Sequence, residues 1–210
     1  MQDTNTNANI EASGLSLGPI TNNEVPNATP HHRQYILYKD AKLRLLTPNF
    51  QAEGLKIKEN GPNNRSLLVP VAPWLRSQLN VVESFARENV NFPSKFLSSG
   101  ERTVYKPLWN GDMMYIQISN YCQMFRQAPM SNQCDAINLD TPLGRGTYNV
   151  TIEVPYVYIG PHKKGENFSL NLRVVQVLFM PEELPVAIST KTPKAKGRRR
   201  KNAGEDQEAS

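Results

Sequence analysis

Apolar and polar residues alternate most regularly in the C-terminal half of the chain. Between residues 146 and 160, every second position from Tyr148 to Tyr158 is apolar, and the intervening positions up to Glu153 are polar. Residues 168–174 alternate in the same way after the turn GPHKKGEN. Alternation of this kind is typical of strands with one buried face. We therefore predict a long antiparallel hairpin whose apolar face joins the core.

A second segment has helical periodicity instead. An amphipathic helix is predicted to begin near Pro73, because proline suits the first turn of a helix. Glu83 and Arg87 lie four positions apart and can pair on its outer face. The residues of its predicted buried face recur three or four positions apart: Leu75, Leu79, Val82 and Ala86.

Strands on both sides of a single helix predict a mainly β fold, in the form of a small barrel or sandwich with one packed helix. We expect this single domain to cover residues 34–186. Residues 1–33 are polar and have no apolar period, so we predict a disordered arm. Residues 187–210 are rich in lysine, arginine and proline and then become acidic, which predicts a disordered tail.

The positive charge of the chain is concentrated in that tail. The formal net charge is +5 over 210 residues. Residues 187–210 carry a net +4, residues 34–186 a net +3 and residues 1–33 a net −2. The basic isoelectric point therefore comes mostly from a short run, which weakens any inference about binding partners from net charge alone.

The sequence offers little for catalysis. Two of its three histidines, His31 and His32, fall in the predicted arm, and His162 falls in a hairpin turn. No phosphate-binding loop, dinucleotide fingerprint, nucleophile elbow or zinc-ligand spacing is present. Cys122 and Cys134 are too few for a disulfide framework; they could pair with each other, but we expect buried reduced thiols. We predict a protein without enzymatic activity, metal or cofactor, located inside a cell and not in a membrane.

Aromatic and cationic side chains interleave in the middle of the chain, as expected for a surface that stacks bases and follows phosphates. The first group of candidates is Tyr105, Lys106, Trp109, Tyr115, Tyr121, Phe125 and Arg126. The hairpin adds Arg145, Lys163, Lys164 and Arg173. Tyr148, Tyr156 and Tyr158 share the apolar face of the hairpin, so for these the core is the favoured position.

The tail adds a cluster of positive charge. Such a run serves as a nuclear import signal, as an arm that neutralises phosphates, or as both. Its members are Lys194, Lys196, Arg198, Arg199, Arg200 and Lys201.

Three segments in succession carry a resemblance to a known group of proteins. NVVESFARENV, YKPLWNGDMMYIQIS and GTYNVTIEVPYVYIGPHKKGENFSLNLRVVQVLF lie within roughly residues 66–181. Their pattern resembles single-stranded DNA-binding proteins of large DNA viruses and related mobile elements. The resemblance implies an OB-like antiparallel barrel with a long C-terminal hairpin, and a role in viral or viral-like DNA replication. It also implies that Tyr105, Lys106, Trp109 and Tyr115 approach the DNA strand.

Two functions follow as hypotheses. The first is a sequence-tolerant single-stranded DNA-binding protein of the nucleus, for which RNA binding, a homo-oligomer, and replication partners recruited by the acidic end of the tail all stay open. The second is a small viral capsid or nucleocapsid protein, in which a β-sandwich forms the shell and the basic tail packages the genome.

Overall fold

The computed structural model describes most of the predicted domain together with a segment that precedes it. The described residues are 9–23, 31–61, 64–90, 105–106, 108–109, 111–128, 133–160 and 168–182. Within them the protein is mainly β-structure with a single α-helix, which confirms the predicted fold class. The predicted tail at 187–210 and the hairpin turn at 161–167 lie outside the described residues.

One sheet has five strands, in the order β1-β2-β11-β12 with β3 paired to β2. Lys39 and Asp40, which both have positive φ, form the two-residue turn between β2 and β3. The strands are β1 (Leu15–Asn23), β2 (His31–Tyr38), β3 (Ala41–Lys42), β11 (Tyr156–Ile159) and β12 (Phe168–Leu170).

The other sheet has eight strands, in the order β4-β10-β13-β8-β7-β6, with β5 paired to β10 and β9 to β8. Its pairings are antiparallel except that β13 runs parallel to β8. The described strands form these two sheets and no closed barrel, so the OB-like barrel is not found there. The strands are β4 (Arg44–Leu46), β5 (Phe50–Ala52), β6 (Ile57–Glu59), β7 (Arg65–Pro70), β8 (Met113–Gln127), β9 (Cys134–Ile137), β10 (Gly146–Glu153) and β13 (Arg173–Pro181).

The predicted C-terminal hairpin forms, but it is divided between the two sheets. Its base, β10 with β13, belongs to the eight-stranded sheet, and its outer part, β11 with β12, belongs to the five-stranded sheet. The chain crosses at Val154 and Pro155, where the Pro155 carbonyl accepts a hydrogen bond from the Ile36 N–H at 3.3 Å. One hairpin therefore holds the two sheets together.

The crossing changes which residues of the hairpin are buried. The prediction of one apolar face from Tyr148 to Tyr158 is wrong beyond the crossing, because Val157 and Ile159 are fully buried and Tyr158 is only half-buried. The side chains of a strand point alternately to its two faces. After the bend at the crossing, the face that holds Val157 and Ile159 packs on the core, and the face that holds Tyr158 points outward.

The disordered arm predicted over residues 1–33 is wrong for its described part. Residues 15–23 form β1, and β2 begins at His31. The inner face of β2 includes the polar residues His32 and Gln34, which are both buried. Polar residues on a buried face conceal the apolar period from which a strand is recognised.

The helix α1 (Pro73–Asn89) confirms its prediction. Leu75, Leu79, Val82 and Ala86 are fully buried, and Arg87 pairs with Glu83 at 2.5 Å. The buried side chain of Gln78 accepts a hydrogen bond from the Ile10 N–H at 2.5 Å, which fixes the N-terminal segment to the helix.

Both sheets and the helix contribute to one hydrophobic core. It includes Leu75, Leu79, Val82 and Ala86 of the helix, the hairpin residues Val150 and Ile152, and Ile36 of β2. In the described residues, no helix combines the length and apolar character that a membrane span requires.

Candidate nucleic-acid interface

The outer face of the five-stranded sheet carries aromatic and cationic side chains side by side. Along β2, Arg33 and Tyr35 are half-buried, while their neighbours on the chain alternate onto the buried inner face. In the adjacent strand β11, Tyr156 lies directly opposite Tyr35 and Tyr158 lies opposite Arg33. Residues in register on paired strands share a face. Three tyrosines and an arginine therefore come together on one side of this sheet.

Short contacts connect these side chains. The guanidinium carbon of Arg33 lies 5.0 Å from the ring centroid of Tyr156, and Tyr35 meets the same ring edge-on at 6.1 Å. His31 stacks on Tyr158 with ring centroids 4.9 Å apart. The pKa of Tyr158 is raised above its ordinary value, because the effect of burial outweighs the opposing effect of the nearby Arg33. The side chains form one packed cluster, because each ring touches a neighbour.

Arg173 joins this cluster to the eight-stranded sheet. It is the first residue of β13, and its Nη2 donates a hydrogen bond to the hydroxyl of Tyr156 at 3.2 Å. Its guanidinium carbon lies 5.4 Å from the centroid of the same ring. One arginine of the larger sheet therefore rests against a tyrosine of the smaller sheet.

A polar row crosses the eight-stranded sheet at the level of Arg173. Each member lies opposite the next in the register of six successive strands, so all of them share one face. In order from β6 to β4, the row is Lys58, Ser66, Gln117, Arg173, Glu153 and Arg44. It holds three cations and one carboxylate.

The carboxylate of Glu153 lies beneath the surface of this row and is 2% exposed. It accepts a hydrogen bond from the hydroxyl of Tyr121 at 2.9 Å and pairs with Nε of Arg44 at 3.3 Å. Tyr121 lies where β8 bulges, between Ile118 and Gln123, which pair with nearly adjacent residues of β13. The bulge places an aromatic ring, 46% exposed, over the buried carboxylate.

Tyr115 extends the aromatic surface along β8. It is 58% exposed and lies two positions from Gln117 of the polar row, so it shares that outer face. The Nζ of Lys58 lies 5.6 Å from the centroid of its ring. A cation and an exposed ring are thus paired here, whereas the cations around Tyr156 contact a buried ring.

We refer to this continuous outer surface as the junction face. Its members come from both sheets and meet at Arg173. They are Arg33, Tyr35, Arg44, Lys58, Tyr115, Gln117, Tyr121, Tyr156, Tyr158 and Arg173.

Three of the residues predicted from the sequence lie elsewhere. Trp109 packs against the helix residue Arg76, whose guanidinium carbon is 5.6 Å from its ring, and Tyr105 lies 4.3 Å from Arg87 of the same helix. Burial and the neighbouring Glu83 carboxylate raise the pKa of Tyr105. Lys106 is exposed and donates its backbone N–H to Phe168 at 2.8 Å. The rings of Tyr105 and Trp109 therefore contact arginines of the helix and stabilise its packing against the sheets.

Three other predicted residues lie at the far end of the eight-stranded sheet. Arg126 and Phe125 lie near the end of β8 opposite to Gln117. Arg145 is neutralised by Glu182 at 2.6 Å and Glu53 at 3.7 Å. The remaining predicted cations fall outside the described residues: Lys163, Lys164, Lys194, Lys196, Arg198, Arg199, Arg200 and Lys201.

Of the predicted candidates, the structure thus brings Tyr115, Tyr121 and Arg173 onto one face. Sequence reasoning missed Arg33, Tyr35, Arg44 and Lys58. It favoured the core for Tyr156, which is buried, and for Tyr158, which is only half-buried. The alternation of β2 was a signal for the first two, but it was concealed by the polar residues on the inner face.

The described residues contain no cluster of three histidine, cysteine or carboxylate side chains that could hold a metal ion. Both cysteines are free thiols, but the prediction that they are buried is wrong for Cys134, which is exposed, and Cys122 is only partly buried. Comparison of the chain with protein-family models and with curated proteins gives no match.

Proposed function

We propose that the protein binds single-stranded DNA through the junction face, with little dependence on sequence. The observation that carries the proposal is the meeting of both sheets at Arg173, where cations and tyrosines of the two sheets lie on one outer face. Single-strand binders use cations to follow the backbone and aromatic faces to stack bases. The two kinds of group occur here at contact distance.

The exposed rings support a single strand over a duplex. Tyr115 and Tyr121 are 58% and 46% exposed, so their rings are accessible to a base that is not already paired and stacked. Stacking on an aromatic ring contributes about 1–3 kcal/mol per base and tolerates any sequence, because every base has a π-face. No groove-reading helix is needed for this mode of binding.

The charges of the face support contact with the backbone. Four cations lie on the junction face: Arg33, Arg44, Lys58 and Arg173. Glu153, the one carboxylate of the polar row, is already bonded to Arg44 and Tyr121. If each cation contacts one phosphate, the face contributes a slope of about −3 to the logarithmic dependence of affinity on salt.

The salt dependence of oligo-dT binding by the full chain tests the proposal. We expect tight binding at low salt, weaker binding of a duplex of equal length, and a variant lacking residues 187–210 that retains a slope of about −3. Equal affinity for single strand and duplex, or a slope that disappears with the tail, would contradict binding by the junction face.

The two-sheet architecture also agrees with a shell-forming structural protein, since two sheets over a shared core are the arrangement of a sandwich. This second function requires large closed assemblies. Light scattering on the purified chain separates the two, because a subunit that stays small at high concentration excludes shell formation.

A further inference from the structure

We propose that Arg33 and Arg173 together form a phosphate-binding site, and that Tyr156 is the residue that positions them rather than a ring for base stacking. This inference rests on the proposed binding of a single strand. It assigns contact with the phosphate backbone of the bound strand to the point where the two sheets meet.

The surroundings of Tyr156 exclude it as a stacking surface. Only 6% of the residue is exposed. The guanidinium carbons of Arg33 and Arg173 lie 5.0 and 5.4 Å from its ring centroid, and Tyr35 meets it edge-on. The ring is too deeply buried for a base to stack on it. The ring instead supports two cations, because the π-face of an aromatic side chain attracts a guanidinium group.

The two arginines retain unused hydrogen-bonding capacity. Among the residues that the structure describes, the buried Nε of Arg33 has no hydrogen-bond partner, and Arg173 donates a hydrogen bond to the hydroxyl of Tyr156. Neither forms an ion pair with a described residue. A buried donor without a partner is unfavourable. Because this Nε is buried, a bound phosphate would meet the terminal nitrogens of the two guanidinium groups instead, which no described carboxylate engages.

The carboxylate of Glu153, which could compete with a phosphate for Arg173, already has other partners. Glu153 lies opposite Arg173 in the register, but its oxygens bond to Tyr121 at 2.9 Å and Arg44 at 3.3 Å. Glu153 therefore does not neutralise Arg173, which forms no ion pair within the part of the chain that the structure describes. Guanidinium groups suit this site because their planar array of donors matches the oxygens of a phosphate.

The site exists only when the sheets are correctly joined. Arg33 comes from β2 of the five-stranded sheet and Arg173 from β13 of the eight-stranded sheet, and Tyr156 is the first residue after the crossing at Pro155. A phosphate held by both arginines fixes the bound strand across the junction. The exposed rings of Tyr115 and Tyr121, which are open to bases, lie on the side of the eight-stranded sheet.

The test measures binding of full-length variants to two probes, an oligo-dT and an oligonucleotide of the same length with abasic sites throughout. Because abasic DNA keeps the phosphates and lacks the bases, we expect R33Q and R173Q to weaken both probes by a similar factor, about tenfold. Each should also reduce the salt slope by about 0.7. Y115A, the control on the same face, should weaken oligo-dT and leave the abasic probe nearly unchanged.

Conservative variants separate a missing contact from a disturbed fold. R33K and R173K keep the charge, so we expect the wild-type salt slope with an intermediate affinity. Y156F keeps the ring but removes the acceptor for Arg173, and it should weaken both probes less than R173Q does.

Some outcomes would overturn the inference while leaving the proposed function intact. These are arginine variants that weaken oligo-dT but not the abasic probe, and variants that leave the salt slope unchanged. A wild-type protein that binds neither probe would remove both proposals.

Discussion

The hydroxyl of Tyr121 donates a hydrogen bond to the buried carboxylate of Glu153 over 2.9 Å. This contact ties an exposed ring on the bulge of β8 to the interior of the hairpin strand β10. The ring is therefore held above the surface in one place, which is the condition for a preorganised stacking platform.

Removing that hydroxyl should cost stability. We expect Y121F to lower the free energy of unfolding by about 1 kcal/mol or more, because a buried carboxylate loses one of its partners. Urea denaturation measures the difference. Y115F is the matched control, since the Tyr115 hydroxyl has no hydrogen-bond partner among the described residues. Equal stabilities of the two variants would contradict the role of Glu153.

Gly146, at the start of β10, has no room for a side chain. A Cβ atom placed there would lie 2.4 Å from the carbonyl oxygen of Met180 and 2.5 Å from the ring of Phe179. Overpacking of this kind destabilises by about 1–3 kcal/mol. We expect G146A to lower the melting temperature, whereas G144A, which meets no atom within 4 Å, should change it little. A G146A protein as stable as G144A would show that the pairing of β10 with β13 is looser than described.

The environment of Tyr105 predicts loss of stability in alkali. Burial and the Glu83 carboxylate raise the pKa of Tyr105 above its ordinary value of about 10. Because the folded pKa exceeds the unfolded one, the contribution is present below about pH 10 and is lost as the pH rises further. Y105F should reduce the decline in unfolding free energy between pH 8 and pH 10.5. An unchanged decline would exclude Tyr105 as its source.

The two thiols should differ in reactivity. Burial raises the pKa of Cys122 to about 11, whereas Cys134 is exposed on β9. Since the thiolate is the nucleophile, iodoacetamide at pH 8 should alkylate Cys134 well before Cys122. Peptide mass spectrometry after short labelling measures the order. Faster labelling of Cys122 would contradict the described burial.

Local periodicity was enough to predict the helix and the hairpin. Leu75 and Leu79 recur at helical spacing on a face that is entirely buried, and the alternation from Tyr148 to Ile152 spans one uninterrupted strand. Such patterns are visible because neighbouring residues share one environment. Beyond Pro155 the environment changes to the second sheet, and the pattern alone does not reveal it.

The junction face could not be predicted from local patterns, because it forms by pairing of strands that are far apart in the sequence. Arg33 meets Tyr156 only because β2 pairs with β11, and no local pattern encodes that partner. Interleaving of rings and cations in the sequence also proved ambiguous. Tyr105 and Trp109 fit the composition of a binding surface, yet their partners are arginines of the helix. A cation–π pair inside the fold uses the same residue types as one made with a ligand.

The affinity of the Y115A/Y121A double variant for oligo-dT tests the central claim most directly. Both rings are exposed on the junction face, so their loss should weaken binding at least about tenfold at fixed salt, while R126Q, at the far end of β8, has a small effect. A folded double variant that binds as tightly as the wild type, or a larger loss in R126Q, would contradict binding through the junction face.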